Sequence, residues 1–354
     1  MVQIHDRDAL ATRDLSTYAI ILRCFGLHDR SWPERPVGTI RCMSYDGKEA
    51  QDGGRCLYPR DRTVRKDAMN VTVTGATGFI GRYLVESLVK DGHSVRALRR
   101  AAWNVFGGEP PAESLTGADA VVHLAGVPVG QRWTRSNKET IRASRVEGTH
   151  HLVTALTTLS PRPEVLVCAS AIGIYGDRGD EVLTEDSRVG EGFLPDVCRA
   201  WENEADLAES LGVRVVKLRF GIALGRKGGA LEKMLPPFRV FVGGRLGSGS
   251  QWMSWIHIAD IVGLIRYAID HPLSGAVNAT APNPVRNSDF TRELGHALRR
   301  PAIFPIPSVA LKLLFGEMSE VLLASQRVLP KAAQSAGYPF AFPELGPALR
   351  DLSG

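Results

Sequence analysis

The sequence of 354 residues contains no CxxC pair, and its five cysteines, at 24, 42, 56, 168 and 198, show no metal-type spacing. That excludes a zinc ribbon and points to a reducing compartment, so the cytoplasm is the expected location. No run of 18 apolar residues occurs, and no membrane span is expected. The apolar stretch from Tyr18 to Leu22 follows Asp6, Asp8 and Asp14 rather than a basic segment, unlike a signal peptide. Charge of one sign is also scarce in excess: 43 basic against 38 acidic residues leave +5 over the whole chain, too dilute for a nucleic-acid-binding face. His150 and His151 are adjacent on a helix-like segment and cannot form an i,i+4 pair, so no metal site is expected. Repeats and low-complexity tracts are absent as well. An ordinary globular composition remains, with 44% hydrophobic and 23% charged residues.

What is present begins after residue 68. Residues 1–68 hold three of the five cysteines and no persistent helical or alternating period, and read as a poorly ordered extension. Met69 directly precedes a strand-like run, which suits a chain that starts there and makes 1–68 an expected artefact of start-site choice. From 70 onward the order is regular. VTVT (71–74) is followed by a helical period through Phe79, Tyr83, Leu84, Leu88 and Val89, then by SVRAL (94–98). ADAVVHLAG (118–126), a helix from Glu139 to Leu159, EVLVCAS (164–170), a helix over about 194–211 and VRVVKLR (213–219) complete the series. Strands alternating with helices predict an α/β, doubly wound parallel sheet of Rossmann type. Residues 69–225 form the dinucleotide-binding domain, to which 256–280 return. A smaller C-terminal substrate lobe, 226–255 and 281–354, carries helices near 287–299, 307–315 and 318–329.

The turn TGATGFIG, Thr74 to Gly81, stands between the first strand and the first helix. Gly75 suits the tight turn, Gly78 close approach of a pyrophosphate, and Gly81 tight helix–strand packing, with the helix N-terminus facing the anion. Thr77, Phe79 and Ile80 complete that cradle, and Leu124, Ala125 and Gly126 of HLAG line the passage beside it. A site for NAD usually has an acidic residue about 20 positions on. Here Arg99 and Arg100 stand directly after the second strand, which favours NADP, because guanidinium groups suit a 2′-phosphate.

TGATGFIG, HLAG, SAIGIYG, RVEGT (145–149) and LRFGIALG (218–225) together resemble the extended short-chain dehydrogenase/reductases of the epimerase/dehydratase group. RWTRSNKETIRASRVEGT, VCRAWENEA, LGSGSQWMSWIHIADI, NATAPNPVRNSDFT and GEMSEVLLASQRVLPK narrow the resemblance to the YfcH-like epimerase-family proteins, which end in a domain of unknown function. It covers 69 to about 352, with a segment at 101–117 shorter than usual. The resemblance implies a catalytic Tyr, a Lys four residues on that lowers its pKa and holds the ribose, and a Ser or Thr that orients the substrate oxygen. None of the seven tyrosines has that lysine. On the helix implied for the dyad, neither Val197 with Trp201 nor Cys198 with Glu202 reproduces the pair; the serine falls at or beside Ala171, leaving Ser170 as a displaced substitute, and Arg145 replaces an asparagine.

Substitutes for the missing dyad are Tyr175, Ser170 and Cys198. Cys198 has as its alternative a packed apolar role, with Glu202 an exposed helix charge, and Tyr175 a structural hydroxyl. Trp252, His257 and Arg286 are candidates for the substrate side: Trp252 by stacking or core packing, His257 by chemistry or support of the sheet edge, Arg286 by binding an anion or capping the next helix. The expected function is an NADP(H)-binding oxidoreductase or epimerase for a small carbonyl or sugar-like substrate. A noncatalytic NADP(H)-binding regulator is the alternative. A small-molecule substrate, no nucleic acid, no membrane and a possible homodimer are the expected partners.

Overall fold

The computed structural model describes residues 68–353. The extension expected at 1–68 lies, apart from Ala68, outside the described residues. Six parallel strands form the central sheet: β1 (Asn70–Thr74), β2 (Ser94–Leu98), β3 (Ala120–His123), β4 (Val165–Ala171), β6 (Arg214–Phe220) and β10 (Gly275–Ala279), in the order β10-β6-β4-β3-β1-β2. The chain reverses direction of travel between β1 and β3, so a crevice opens at the carboxyl ends of these two strands.

Alternation along the buried strands builds two cores. Val71, Val73, Val122, Val167 and Leu218 face α1 (Phe79–Lys90) and α5 (Ile258–Asp270). Val121, Leu166, Cys168 and Val215 face α2 (Arg135–Thr157) and α3 (Phe193–Asp206). Helices on both faces explain why these strands are apolar on both sides. The short 101–117 crossover contains only a 3-10 turn, Ala112–Ser114, and instead of a helix it lays Trp103, Val105 and Leu115 into the second core.

Short pairings shape the rest. β7 (Ile222–Leu224) runs parallel to β9 (Trp255–His257); β8 (Trp252–Met253) pairs with β11 (Val285–Arg286); β5 (Val182–Leu183) pairs with β12 (Arg327–Val328). The 226–255 segment contains α4 (Gly229–Arg239), which tolerates Pro236 and Pro237 within it. One expectation is corrected. The helix expected over 318–329 ends early, as α8 (Ser319–Leu323). Beyond it Ser325 N–H donates to Asp177 and Gln326 donates to the carbonyls of Ile172 and Gly176, so tertiary bonds override the helical period.

The C-terminal segment is not a detached lobe. Between α6 (Asn287–Leu298) and α10 (Leu345–Ser353) lie α7 (Ser308–Phe315) and α9 (Lys331–Ser335), and the first core continues without interruption into Phe290, Leu294, Leu345 and Leu349. Asp260 fixes this junction: its fully buried carboxylate accepts from Ala341 N–H at 2.7 Å and Phe342 N–H at 2.9 Å, with the Tyr338 hydroxyl nearby at 3.4 Å. Among the described residues no helix is long and apolar enough to cross a membrane.

Candidate functional site

The glycine turn has the close contacts its residues call for. Gly75 has φ +66°, and a Cβ there would lie 2.7 Å from the backbone carbon of Leu124. A Cβ on Gly81 would lie 2.3 Å from the Gly75 carbonyl oxygen, so only glycine lets α1 start this close to β1. Gly78 N–H donates to Gly75 at 2.9 Å and no side chain caps the helix, which leaves the first N–H groups of α1 directed outward. Thr77, Gly78 and Gly126 are exposed, and Phe79, Ile80, Leu124 and Ala125 half-buried, so this part of the crevice is accessible. A second glycine group, Gly225, Gly228 and Gly229, closes on the Phe79 ring, where each Cβ would come within 2.7 Å.

Leu98 pairs with Thr74, and Arg99 and Arg100 therefore leave β2 beside Gly75. Both are exposed, and neither has an ion-pair partner among the described residues. Thr74 links the turn to β3: its hydroxyl meets His123 Nδ1 at 2.7 Å and accepts from Ala125 N–H at 3.3 Å. His123 is fully buried, and burial followed by the nearby Arg145 charge holds its pKa down at about 4.

The proton-transfer candidates are placed differently. Ser170, 2% exposed, donates to Glu202 Oε1 at 2.6 Å. Glu202 is not an exposed helix charge: it is 6% exposed and receives a two-pronged fork from Arg219, both bonds at 2.8 Å. Arg219 also donates to the Tyr175 hydroxyl at 2.9 Å, which itself donates to Asn278 Oδ1 at 2.7 Å. Tyr175 has no exposed surface, and burial raises its pKa despite Arg219. Cys198 is packed against Gly173, and burial, then Glu202, pushes its thiol up to about 12. Ser170, Tyr175 and Cys198 thus belong to the interior beneath the strand ends, with their polar atoms spoken for or their acidity suppressed.

The substrate-side candidates also meet partners. The Trp252 ring has Arg286 at 4.2 Å and Arg327 at 4.6 Å, and its indole N–H donates to Asp180 at 2.9 Å, so it is not free to stack on a ring. Arg286 stands at the N-cap of α6, but its side chain makes no capping bond: it pairs with Asp180 at 2.7 Å and bonds Ser250 O, and so does not stand free for an anion. His257 caps α5 through Ala259 N–H, with Phe342 against its ring at 3.9 Å and Asp351 at 3.3 Å.

Sequence reasoning overlooked two features. The Arg219–Glu202 pair joins β6 to α3, and the sequence shows only that Arg219 is a charged residue within an apolar strand. Arg145, noted only as an asparagine replacement, donates to Val127 O at 3.0 Å and Ile141 O at 3.1 Å and lies 5.2 Å over the Trp201 ring.

Comparison with known proteins places this arrangement. Residues 71–280 match the NAD dependent epimerase/dehydratase family, and residues 306–352 match a domain of unknown function, DUF1731. The chain is 43% identical over 306 residues to the Arabidopsis thaliana epimerase family protein SDR39U1 homolog, chloroplastic, covering 81% of this chain and 88% of that one. It is 38% identical to the epimerase family protein YfhF of Bacillus subtilis, over 80% of this chain and 98% of the relative. The crystal structure of human epimerase family protein SDR39U1 (isoform 2) with NADPH superposes with a TM-score of 0.73 at 33% identity, covering 80% of this chain and 99% of that chain.

Proposed function

The chain belongs to the NAD-dependent epimerase/dehydratase family, and on that footing we propose that it is an NADP(H)-binding oxidoreductase or epimerase acting on a small carbonyl or sugar-like substrate without the usual Tyr/Lys dyad. The observation that carries this reading is the open glycine turn with two unpaired arginines beside it. Gly75 and Gly81 let the turn, β3 and the start of α1 pack closer than any Cβ would allow, and the uncapped start of α1 meets a pyrophosphate beside them with N–H groups and a partial positive charge. Arg99 and Arg100 meet the 2′-phosphate. The NADPH in the human relative's structure agrees with that choice.

Bound NADP(H) supplies or accepts a hydride. The chain's own part would be to seat the coenzyme at the turn, where the Gly225–Gly229 loop holds Phe79 in place. A proton for the substrate oxygen comes from solvent or from a group other than Tyr175, whose hydroxyl is enclosed and engaged. In this reading the protein is cytoplasmic, which its cysteine usage supports.

A titration tests it. The starting protein binds NADPH at least tenfold more tightly than NADH, and Arg99→Asp with Arg100→Ala removes that difference; equal affinities in the starting protein refute the assignment. A second reading, a noncatalytic NADP(H)-binding regulator, is favoured by the burial of Ser170, Tyr175 and Cys198. NADPH absorbance that stays constant across a panel of aldehydes, ketones and sugar nucleotides would select it.

A further inference from the structure

Arg145 is a largely enclosed cation with no carboxylate partner within ion-pair distance among the described residues. Its guanidinium bonds only neutral acceptors, Ile141 O, the Ser144 hydroxyl at 3.3 Å and Val127 O, and its Nε–H has no acceptor among the described residues. Burial lowers its pKa, as expected for a charge without compensation, yet an arginine in a protein keeps its proton. The charges nearby do not neutralise it. Glu202 is already matched by Arg219, and His123 is held uncharged above pH of about 4.

Its place is as informative as its charge. Gly75 touches Leu124 and Ala125, and the next residue, Gly126, has its Cβ position 3.6 Å from the Arg145 guanidinium carbon. The exposed Gly126 thus separates Arg145 from the crevice one step beyond the phosphate-binding turn. The guanidinium also lies over the ring of Trp201 on α3, the helix on which the resemblance puts the dyad.

We propose that Arg145 is the fixed cation of this site, carried by α2 in place of the missing lysine on α3, and that it makes the protein select reduced NADPH over oxidised NADP⁺ by charge. This inference rests on the coenzyme reading above. The two forms share their phosphates and differ in the ring, which is neutral when reduced and a pyridinium when oxidised. A fixed positive charge repels only the second. For like charges of the order of 10 Å apart at an effective dielectric of about 20, the discrimination is about tenfold.

The test is the ratio of dissociation constants for NADP⁺ and NADPH, by calorimetry or fluorescence, in the full chain and in Arg145→Met and Arg145→Lys. The expected ratio is about ten in the starting protein, is retained in Arg145→Lys and falls to about one in Arg145→Met, consistent with charge repulsion at this range. A merely structural arginine would weaken both forms by the same factor in both variants, and that result overturns the inference. Should Arg145→Met fail to fold, the midpoint potential of the bound coenzyme in the starting protein decides. A tenfold preference raises it by about 30 mV over free NADP(H), and no shift overturns the proposal. If neither form binds, the coenzyme reading fails and this inference with it; equal binding of both overturns this inference alone.

Discussion

Two buried side chains show how far single residues govern this molecule. His123 has a pKa of about 4 in the folded chain against 6.5 for the free side chain. The unfolded chain therefore binds its proton more readily, so its contribution is complete above pH of about 6.5 and is lost as pH falls toward 4. That amounts to about 3 kcal/mol at the lower end. Urea unfolding at pH 7 and pH 5 should show the loss, and His123→Asn should lack that component of the slope. Glu202 poses a different problem, because removing it leaves the Arg219 charge in the interior. Glu202→Gln should cost about 3 to 5 kcal/mol in urea unfolding, whereas Glu202→Leu combined with Arg219→Met should cost less than either single change. A double variant as damaged as the sum of the singles would show that the pair is not a unit. Glu202 also marks the limit of sequence reading: nothing near it in the sequence announces Arg219, 17 positions away.

Elements were legible where pattern and tertiary demand agree. SVRAL is a strand over the same five residues in sequence and structure, and the helix expected near 287–299 closes one residue earlier. Where they disagree, the longer-range contacts decide, as at Gln326, which exchanges a helical turn for bonds to Ile172 and Gly176 and lets β12 join β5. The same competition fixes the start of α1. Gly81→Ala sets a methyl group 2.3 Å from a backbone oxygen that cannot swing away, so the helix must move off the turn. NADPH affinity should fall by about tenfold or more, since misplacing phosphate-binding N–H groups removes charge-assisted bonds. Gly78→Ala, whose methyl would sit at 3.0 Å, should be milder. Equal effects in a titration would show that crowding by Gly75 O is not the cause.

At the scale of the whole molecule, Asp260 adds hydrogen bonds to the apolar core that unites its two matched regions. Asp260 belongs to the first and receives Tyr338, Ala341 and Phe342 from the second. Asp260→Ala should accelerate hydrogen exchange over 338–342 and lower stability by about 2 to 4 kcal/mol, as buried donors lose their acceptor. Unchanged exchange would mean that apolar packing alone holds the segment. The sheet and its crevice were readable from periodicity and glycine spacing, but this junction was not, because its donors are backbone N–H groups that any sequence possesses. Near it, Arg226 bonds the Asp351 carbonyl from the loop that wraps Phe79. The terminal domain is therefore no interchangeable cassette: a chimera that grafts another member's final fifty or so residues onto this sheet must bring matching contacts for Asp260, His257 and Arg226, or the graft will loosen the mouth of the crevice as well as itself.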